Sequence, residues 1–425
     1  MRQLAVFACV ALFAAAAANA ADASPSDKPE EADALSLADE AKPEKRASRD
    51  WQVFGEGSAS RTSQRGAGPA TDGARLSLDL RYDGSVMPGL RAVLSDRLDL
   101  SRSDDASRET SVNTLREAYL SWHARPDLIA DVGRVNLRYG AALGYNPTDF
   151  FKVGAVRSIV SPDPASLREN RQGTFVVEGQ KVWSGSSLTA VVSPRLGSST
   201  SDSTFGLDVG ATNLRNRWLL AGSHKFSENF NPQLLLHGGA GLSTQAGLNL
   251  TGLVNSSTVA FLEFSTGKGR SLIAQALGTA EAERTQRRAA LGLTYTTSFN
   301  LALTAEVEHN SAAPNRQQWS AVSAAAPGNA ARLLGTAEAL QDLPVRQALF
   351  FYALWQDLGV KNLELSAFVR RDAETSSRAH WLEVRYRMDR TELALQWQSY
   401  TGGPTSLYGA LPQPRRVDLL LRYFL

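Results

Sequence analysis

Apolar and polar side chains alternate with a period of two along most of this chain, and this pattern limits the folds open to it. Leu76, Leu78, Leu80 and Tyr82 alternate with polar residues in the segment 74–84, and Leu382, Val384, Tyr386 and Met388 alternate with charged residues in the segment 378–388. Successive side chains of a β-strand point to opposite faces, so strict alternation predicts strands with one apolar and one polar face. A soluble sandwich or a membrane barrel produces such strands equally well.

The connections between the strands separate these two folds. We predict strands near 51–60, 74–84, 88–100, 112–123, 127–138, 171–182, 185–194, 215–226, 231–240, 245–253, 257–266, 287–297, 300–310, 347–357, 362–373, 378–388, 391–400 and 416–425. Every second connection is short, and the others are mostly long, as in 139–170 and 311–346. Short periplasmic turns that alternate with long extracellular loops are typical of outer-membrane barrels. The predicted fold is therefore all-β: a transmembrane antiparallel β-barrel of about 18 strands (roughly 16–20) over residues 51–425.

The last ten residues, 416–425, repeat the pattern. Val417, Leu419, Leu421 and Tyr423 form one apolar face, and charged residues lie between them. A lipid-facing strand with charges on its inner side suits a barrel. The segment also resembles the carboxy-terminal signal that hands bacterial barrels to their assembly machinery, although Phe424 is penultimate where that signal usually ends in Phe. The resemblance implies the assembly machinery as a partner and outer-membrane lipid as the surroundings.

The amino terminus predicts export. Arg2 gives a positive n-region, Leu4 to Ala18 is apolar, and Ala18-Asn19-Ala20 is a small-residue cleavage site, so residues 1–20 are predicted to be a signal peptide cleaved after Ala20. The one cysteine, Cys9, lies inside this peptide, which leaves no thiol in the mature chain. With export, barrel strands and short turns together, the predicted location is the outer membrane of a Gram-negative bacterium.

Residues 21–50 differ in composition from the rest. They are rich in Ala, Asp, Glu, Lys, Ser and Pro, with very few large apolar side chains. Too little apolar surface is present to offset the entropy of ordering, which predicts a disordered periplasmic tail. The whole chain has a formal net charge of only +2 and no basic cluster with interleaved aromatic residues, which argues against nucleic-acid binding.

The polar face of the strands would line the interior, and basic residues there are nearly all arginine. The residues predicted to line the pore and set its selectivity are Arg75, Arg81, Arg91, Arg97, Glu117, Arg134, Arg138, Arg385 and Arg387. Arginine holds carboxylates and phosphates in a bidentate fork. Two interpretations stay open: an arginine ladder draws an anionic or hydroxyl-rich solute through the channel, or arginines and carboxylates on neighbouring strands only satisfy a polar interior.

The loop 139–170 and its flanks form the most unusual segment. Phe150 and Phe151 are costly on an exposed tip, so we expect the loop to fold onto another surface. Folded inward, it would form a constriction; folded outward, it would cap its own barrel rim. The residues predicted for the constriction are Asn146, Asp149, Phe150, Phe151, Lys152, Arg157, Arg168 and Arg171. Long loops that carry function are usual on such scaffolds.

The block Gly133-Arg134, Gly140 and Asn146-Pro147-Thr148-Asp149-Phe150-Phe151 resembles a strand-and-loop signature of proteobacterial outer-membrane porin-like families, including relatives of the alginate-export channel. The resemblance covers roughly 110–180 by motif and the rest only by architecture. It implies a barrel of eighteen or a similar number of strands with a loop-gated polar pore. The alginate channel has a strongly positive lumen, whereas acidic and basic residues are mixed here.

Enzymatic signals are weak. The five histidines are scattered without metal-ligand spacing, and no G-x-S-x-G motif occurs. No cofactor, metal site or catalytic group is predicted. The favoured interpretation is a channel that passes a small polar solute, anionic if the arginines select it. The alternatives are an export conduit for a polysaccharide or another secreted product with periplasmic partners that dock on the tail, and a sealed structural or adhesive barrel.

Overall fold

A closed barrel of eighteen antiparallel strands forms the body of the molecule in a computed structural model that describes residues 50–66, 68–103, 110–227, 229–326 and 328–425. The predicted signal peptide and nearly all of the predicted tail lie outside these described residues. The strands are β1 Trp51–Ser63, β2 Thr71–Met87, β3 Leu90–Ser103, β4 Thr110–Arg125, β5 Leu128–Val135, β6 Thr174–Trp183, β7 Ser186–Ser193, β8 Arg217–His224, β9 Gln233–Gly239, β10 Leu242–Asn255, β11 Thr258–Gly269, β12 Arg284–Thr296, β13 Leu301–Asn310, β14 Gln347–Trp355, β15 Leu363–Asp372, β16 Arg378–Arg387, β17 Thr391–Thr401 and β18 Arg415–Phe424.

Each strand pairs with its neighbours in sequence, and β1 closes the sheet by pairing with both β2 and β18. The closed sheet has no free edge, which removes the usual hazard of edge-to-edge association. The predicted fold class and strand number are confirmed. Short turns such as those between β2 and β3 and between β10 and β11 alternate with long connections at the other end of the barrel.

The outer face of the barrel is apolar, as the alternation predicts. In β18, Leu419 and Leu421 are half exposed on the outside, whereas Arg422 points inward and reaches Glu56 of β1. The same exposure of large apolar residues recurs around the sheet, for example at Leu76, Val177 and Leu395. An apolar outside over a polar inside is the arrangement of a transmembrane barrel.

Five helices occupy the connections among the described residues: α1 Pro164–Glu169, α2 Val209–Thr212, α3 Leu272–Leu277, α4 Arg316–Ala325 and α5 Asn329–Leu340. The short helices α2 and α3 lie in the β7–β8 and β11–β12 connections. None of the helices in the described ranges combines the length and apolarity that a membrane span requires.

The buried apolar residues lie inside the barrel, where two long connections fill part of the lumen. One cluster joins Tyr145 and Ala142 of the β5–β6 loop to Trp319 and Leu333 of the helices that follow β13. The other joins Phe150 and Phe151 to apolar residues on the inner faces of β6 to β9. The connections 136–173 and 311–346 are thus packed against the inner wall, which determines the shape of the lumen.

Candidate functional site in the barrel lumen

A network of ion pairs covers the inner wall formed by the adjacent strands β16, β17, β18, β1, β2, β3 and β4. Its centre is Glu56 of β1, which accepts hydrogen bonds from Arg97 at 2.7 Å, Arg75 at 3.0 Å and Arg422 at 2.8 Å. These three arginines come from β3, β2 and β18, so Glu56 joins the strands on both sides of the barrel closure. Charge-assisted bonds of this kind are stronger than neutral ones.

A second carboxylate, Asp79 of β2, extends the network. It accepts from Arg116 at 2.6 Å, from Arg81 at 3.2 Å and from Arg97 at 3.4 Å. Arg81 also pairs with Glu169 at the end of α1, which ties the long β5–β6 loop to this wall. Asp79 therefore links the strand network to the loop that enters the lumen.

The same arrangement continues on β16 and β17. Arg385 bonds Glu383 at 2.7 Å and Glu392 at 2.8 Å, and Arg387 bonds Glu364 at 2.8 Å. Arg422 also reaches Glu392 at 3.2 Å, which connects this group to the Glu56 centre. Arginines and carboxylates on neighbouring strands thus pair as the second interpretation of the sequence described.

Although the charges on this wall are paired, several arginine side chains are more exposed to the lumen than the carboxylates they bond. The side chains of Arg81, Arg387 and Arg422 keep 32%, 31% and 24% of their surface exposed. The carboxylates beneath them, Glu56 and Asp79, keep 1% and 0%. At Arg387 and Arg422 a solute in the lumen would therefore meet the arginine first, whereas at Arg81 it would also meet the carboxylate of Glu169, which keeps 49% of its surface exposed.

On the opposite wall, three carboxylates hold the β5–β6 loop in the lumen. Glu263 of β11 accepts from the backbone N–H of Ala142 at 2.7 Å and from Thr148 Oγ1 at 3.0 Å. Glu306 of β13 accepts from the backbone N–H groups of Leu143 and Gly144 at 2.6 and 3.0 Å. The loop is held by its backbone, so most of its side-chain identities are free to vary without loss of these bonds.

Two glycines make this close approach feasible. A Cβ at Gly140 would lie 2.2 Å from the Glu263 carboxyl group, and one at Gly144 would lie 2.3 Å from Oε1 of Glu308. Gly140 also has a φ of +88°, a conformation that L side chains rarely adopt. Arg370 of β15 completes the contact, because it bonds Glu308 at 3.0 Å and the carbonyl of Gly144.

The middle of the loop is packed rather than open to solvent. Asp149 pairs with Arg171 at 2.8 Å, and Phe150 stacks on His237 with ring centroids 4.9 Å apart. Lys152 donates to the Asn146 carbonyl at 2.7 Å. Burial lowers the pKa of Lys152, although Asp342 and Asp149 favour its charged form. These residues fix the shape of the constriction from within.

The second half of the loop crosses to the arginine-bearing wall. Asp163 caps α1 by accepting from the Ser166 N–H at 2.9 Å, and it accepts from the Tyr352 hydroxyl of β14 at 3.2 Å. Arg75 donates to the Val160 carbonyl at 3.3 Å. Burial raises the pKa of Asp163 to about 6. The loop therefore spans the lumen from β5 through β11 and β13 to β2, so it narrows the passage as the inward-folding alternative predicted.

A cap formed by the connection 311–346 lies over the loop. Its Asp342 accepts from the Tyr145 hydroxyl and from Arg288 at 3.0 Å. Burial opposes ionisation of Asp342, but Arg288 and Lys152 outweigh it and hold the pKa of this carboxyl below its usual range. The two helices of this connection, α4 and α5, pack onto the constriction loop through Trp319 and Leu333.

Four other residues that the sequence predicted for the pore or the constriction have separate surroundings. Arg138 is exposed and lines a cavity of about 330 Å³ with Asp131, Tyr139 and Glu178. Glu117 accepts from the Asn136 N–H at 3.4 Å at the base of the loop. Arg91 pairs with Asp83 and is largely exposed. Arg168 is buried and donates to the carbonyls of Gly140 and Ala142.

Arg134 and Arg157 have other positions than the sequence suggested. Arg134 lies opposite Ala118 and Phe175 in the sheet, on the same face as the outward-pointing Val132, and it is fully buried. It donates to the carbonyls of Leu115 and Leu207. Arg157 bonds carbonyls in the same β7–β8 connection, at Gly206 and Ser203. Arg134 therefore cannot line the lumen, because the connection that contains Leu207 covers it on the outer face.

Sequence reasoning missed three residues that organise the site. Glu56 lies among glycines and serines in β1, so the neighbouring residues show no alternation of apolar and polar side chains that would identify its inward face. Arg116 faces inward beside Glu117 because the pairing of β3 with β4 is irregular between Leu115 and Glu117. Glu263 was missed although it alternates with Leu262 and Phe264, a signal that could have found it.

No family model and no curated protein matches this sequence. Solved structures do resemble it. OccAB1 of Acinetobacter baumannii aligns with a TM-score of 0.56 at 10% identity, over 88% of this chain and 96% of its own. OccK2 (OpdF) of Pseudomonas aeruginosa, solved in complex with glucuronate, gives 0.55 at 12% identity, over 88% and 97%. OccK5 (OpdH) of the same species gives 0.53 at 9%, over 88% and 98%.

At these identities the likeness shows the fold alone. It supports a porin-like barrel, as the sequence motif implied. The more specific resemblance to relatives of the alginate-export channel gains no support from these comparisons.

Proposed function

We propose that this chain is a passive channel of the outer membrane for small polar solutes that carry negative charge. The observation that carries the proposal is the difference in exposure at Arg387 and Arg422: these side chains are partly exposed, whereas their carboxylate partners Glu364, Glu392 and Glu56 keep 11% or less of their surface exposed. Exposed fixed charge in a narrow polar passage favours solutes of the opposite sign. The barrel fold, shared with outer-membrane porins, supports the location and a non-enzymatic role.

The class of solute follows from the geometry of arginine. A planar guanidinium binds a carboxylate or phosphate through two parallel hydrogen bonds, which Lys does not offer. Arg81 and Arg387 each keep about a third of the side-chain surface exposed, and Arg138 lies by the cavity beneath the loop, beside Asp131 and Glu178. Because OccK2 was solved with glucuronate, small sugar acids are the first solutes to test, followed by other monocarboxylates.

The test is ion selectivity of the refolded barrel in a planar bilayer, taken from the reversal potential under a salt gradient. We expect discrete conductance with anion preference. Arg81→Gln combined with Arg387→Gln should lower the anion-to-cation permeability ratio at least about twofold. Arg125→Gln combined with Lys181→Gln is the matched control, since it also removes two positive charges and both residues are exposed near the short-turn end of the barrel.

Two results would contradict the proposal. An unchanged reversal potential in the double variant would show that Arg81 and Arg387 do not determine the ion selectivity. The complete absence of conductance would favour the sealed barrel, for which the packed loop and cap are the structural argument. A partnered export conduit is the remaining candidate; deletion of residues 21–50 with conductance retained but transport lost in cells would favour it. Assembly through residues 416–425 stays a prediction.

A further inference from the structure

The outer face of the barrel carries an arc of basic residues at the extracellular ends of β11 to β16. The residues are Lys268 on β11, Arg287 on β12, Arg371 on β15 and Arg378 on β16, and all four are exposed. Their outward direction follows from the pairing, because their neighbours in the strands, Gln286, Asp372 and Ala379, are buried on the lumen side.

None of these four side chains has an ion pair or a side-chain hydrogen bond with the described residues, in contrast to the arginines of the lumen. Arg371 and Arg378 lie directly opposite each other across β15 and β16. Like charges at such positions, about 5 Å apart at Cβ, destabilise a sheet. The pair therefore leaves a local excess of positive charge that an external anion would relieve.

Carboxylates of this region do not supply that anion. The outward positions of β11 to β16, all of them described, carry no Asp or Glu. The acidic residues nearest in the chain to Arg371 and Arg378 already have partners: Asp372 accepts from Thr375 and Ser377, and Glu374 accepts from the Arg316 N–H. In the connection before Arg287, Glu283 accepts from the Ser243 hydroxyl and Glu281 from the Ser271 N–H. The arc thus has no internal counter-charge.

The height of the arc matches a membrane interface. On β16, Tyr386 is an exposed aromatic residue near the opposite end of the strand, eight residues from Arg378. Eight residues span about 26 Å along a strand, and a tilt near 40° leaves about 20 Å of height, close to the apolar band of about 25 Å found in such barrels. The outward positions between them are His380, next to Arg378, and then Leu382 and Val384. Arg378 therefore lies where lipid tails give way to headgroups.

We propose that the arc of Lys268, Arg287, Arg371 and Arg378 binds the phosphate groups of a phosphorylated glycolipid in the outer leaflet. The apolar strand surface below it would contact the acyl chains, and the arginines would hold the phosphates by charge-assisted hydrogen bonds. At β5, by contrast, the basic residue Arg134 is buried under the β7–β8 connection. The inference rests on the outer-membrane location but not on channel activity.

The test is binding of bisphosphorylated lipid A to the purified barrel in detergent, measured by native mass spectrometry. Two double variants remove parts of the arc: Arg371→Gln with Arg378→Gln, and Lys268→Gln with Arg287→Gln. The matched control is Arg125→Gln with Lys181→Gln, two exposed cations at the opposite end of the barrel. We expect each arc variant to lower lipid A affinity about tenfold or more, and the control to bind as the parent does.

A second measurement separates lipid binding from a structural role. Without lipid A, the Arg371→Gln and Arg378→Gln variant should unfold at a slightly higher temperature than the parent, since a like-charge contact is lost. With lipid A, the parent should gain more than the variant. Equal affinity in arc variants and parent would overturn the proposal, and so would equally tight binding of phosphatidylglycerol or of dephosphorylated lipid A. Bilayer conductance is measured in a separate experiment. The lipid A binding result can therefore be interpreted even if the protein proves not to be a channel.

Discussion

At the scale of single residues, the charge that the inner wall presents to the lumen depends on which side chains are buried rather than on how many charged residues it contains. Glu56 and Asp79 are nearly inaccessible, and each is surrounded by several guanidinium groups. A buried carboxylate is tolerated only when it is well paired. The same pairing leaves Arg387 and Arg422 more exposed than the carboxylates they bond, so this part of the wall exposes mainly positive side chains.

Glu56→Gln should lower the free energy of unfolding by about 3 kcal/mol or more, because Arg75, Arg97 and Arg422 would lose their shared carboxylate. The measurement is urea unfolding of the barrel in lipid vesicles. Glu169→Gln is the control; its carboxylate pairs with Arg81 but is half exposed, and the expected loss is below about 1 kcal/mol. Equal losses in the two variants would show that burial of Glu56 does not matter.

Asp163 predicts a dependence on pH. Burial raises its pKa in the folded protein to about 6, well above the ordinary value for an aspartate. The folded state then binds this proton more tightly than the unfolded state, so its contribution to stability is full below about pH 4 and is lost as the pH rises through about 6. Asp163→Asn should flatten this part of the pH profile while it still caps α1.

The check is the unfolding temperature at pH 4, 5, 6 and 7 for parent and variant. The difference between the two curves isolates Asp163 from other titrating groups. If the curves stay parallel over this interval, the carboxyl group of Asp163 does not titrate there.

Individual site residues were predictable where a strand has a clean two-residue period. Arg81, Arg97, Arg385 and Arg387 were placed on the inner wall for that reason, and the structure pairs each of them there. Arg134 was misplaced because β5 has apolar residues on both faces, at Val132 and Val135, so its alternation does not reveal the inner side.

At the scale of elements, the β5–β6 loop is held by backbone bonds to acidic residues on β11 and β13. These bonds join positions more than 100 residues apart in the chain. No local sequence pattern can therefore predict them. The sequence showed that the loop must cover its phenylalanines, and it left the inward and outward alternatives open. The hydrogen bonds that the loop backbone donates to Glu263 and Glu306 hold the loop in the inward position.

Gly140→Ala should displace this loop, because the new methyl group would meet the Glu263 carboxylate in a backbone conformation unfavourable to Ala. We expect larger and noisier single-channel conductance. Gly278→Ala is the control: its φ of +67° is similarly unfavourable, but nothing lies within 4 Å of the added carbon. The loop would not be the constriction if both variants conducted like the parent.

At the scale of the whole molecule, the barrel has two unlike ends. Turns at one end are short, and the other end carries the long connections with the helices α3, α4 and α5. Strand count, alternation and this asymmetry all followed from the sequence, since each depends on local spacing alone. The filled lumen did not, because it arises from contacts between distant connections.

Single cysteines can report the orientation of the two ends. The only cysteine of the sequence, Cys9, lies in the predicted signal peptide, so an introduced thiol would be unique in the mature chain. A maleimide that cannot cross the outer membrane should label Gly335→Cys on α5 in intact cells. It should label Ser256→Cys, in the turn between β10 and β11, only after the cells are opened. Labelling of both in intact cells would refute the assigned orientation.

The pairing of β1 with β18 also has a consequence for biogenesis. The ion pair between Glu56 and Arg422 joins residues 366 positions apart, and the wall it centres cannot form until the last strand has been made. Contacts of such long range slow folding and leave the growing chain exposed. A nascent copy of this protein would depend on holding chaperones, and its release into the bilayer would be timed by the arrival of β18.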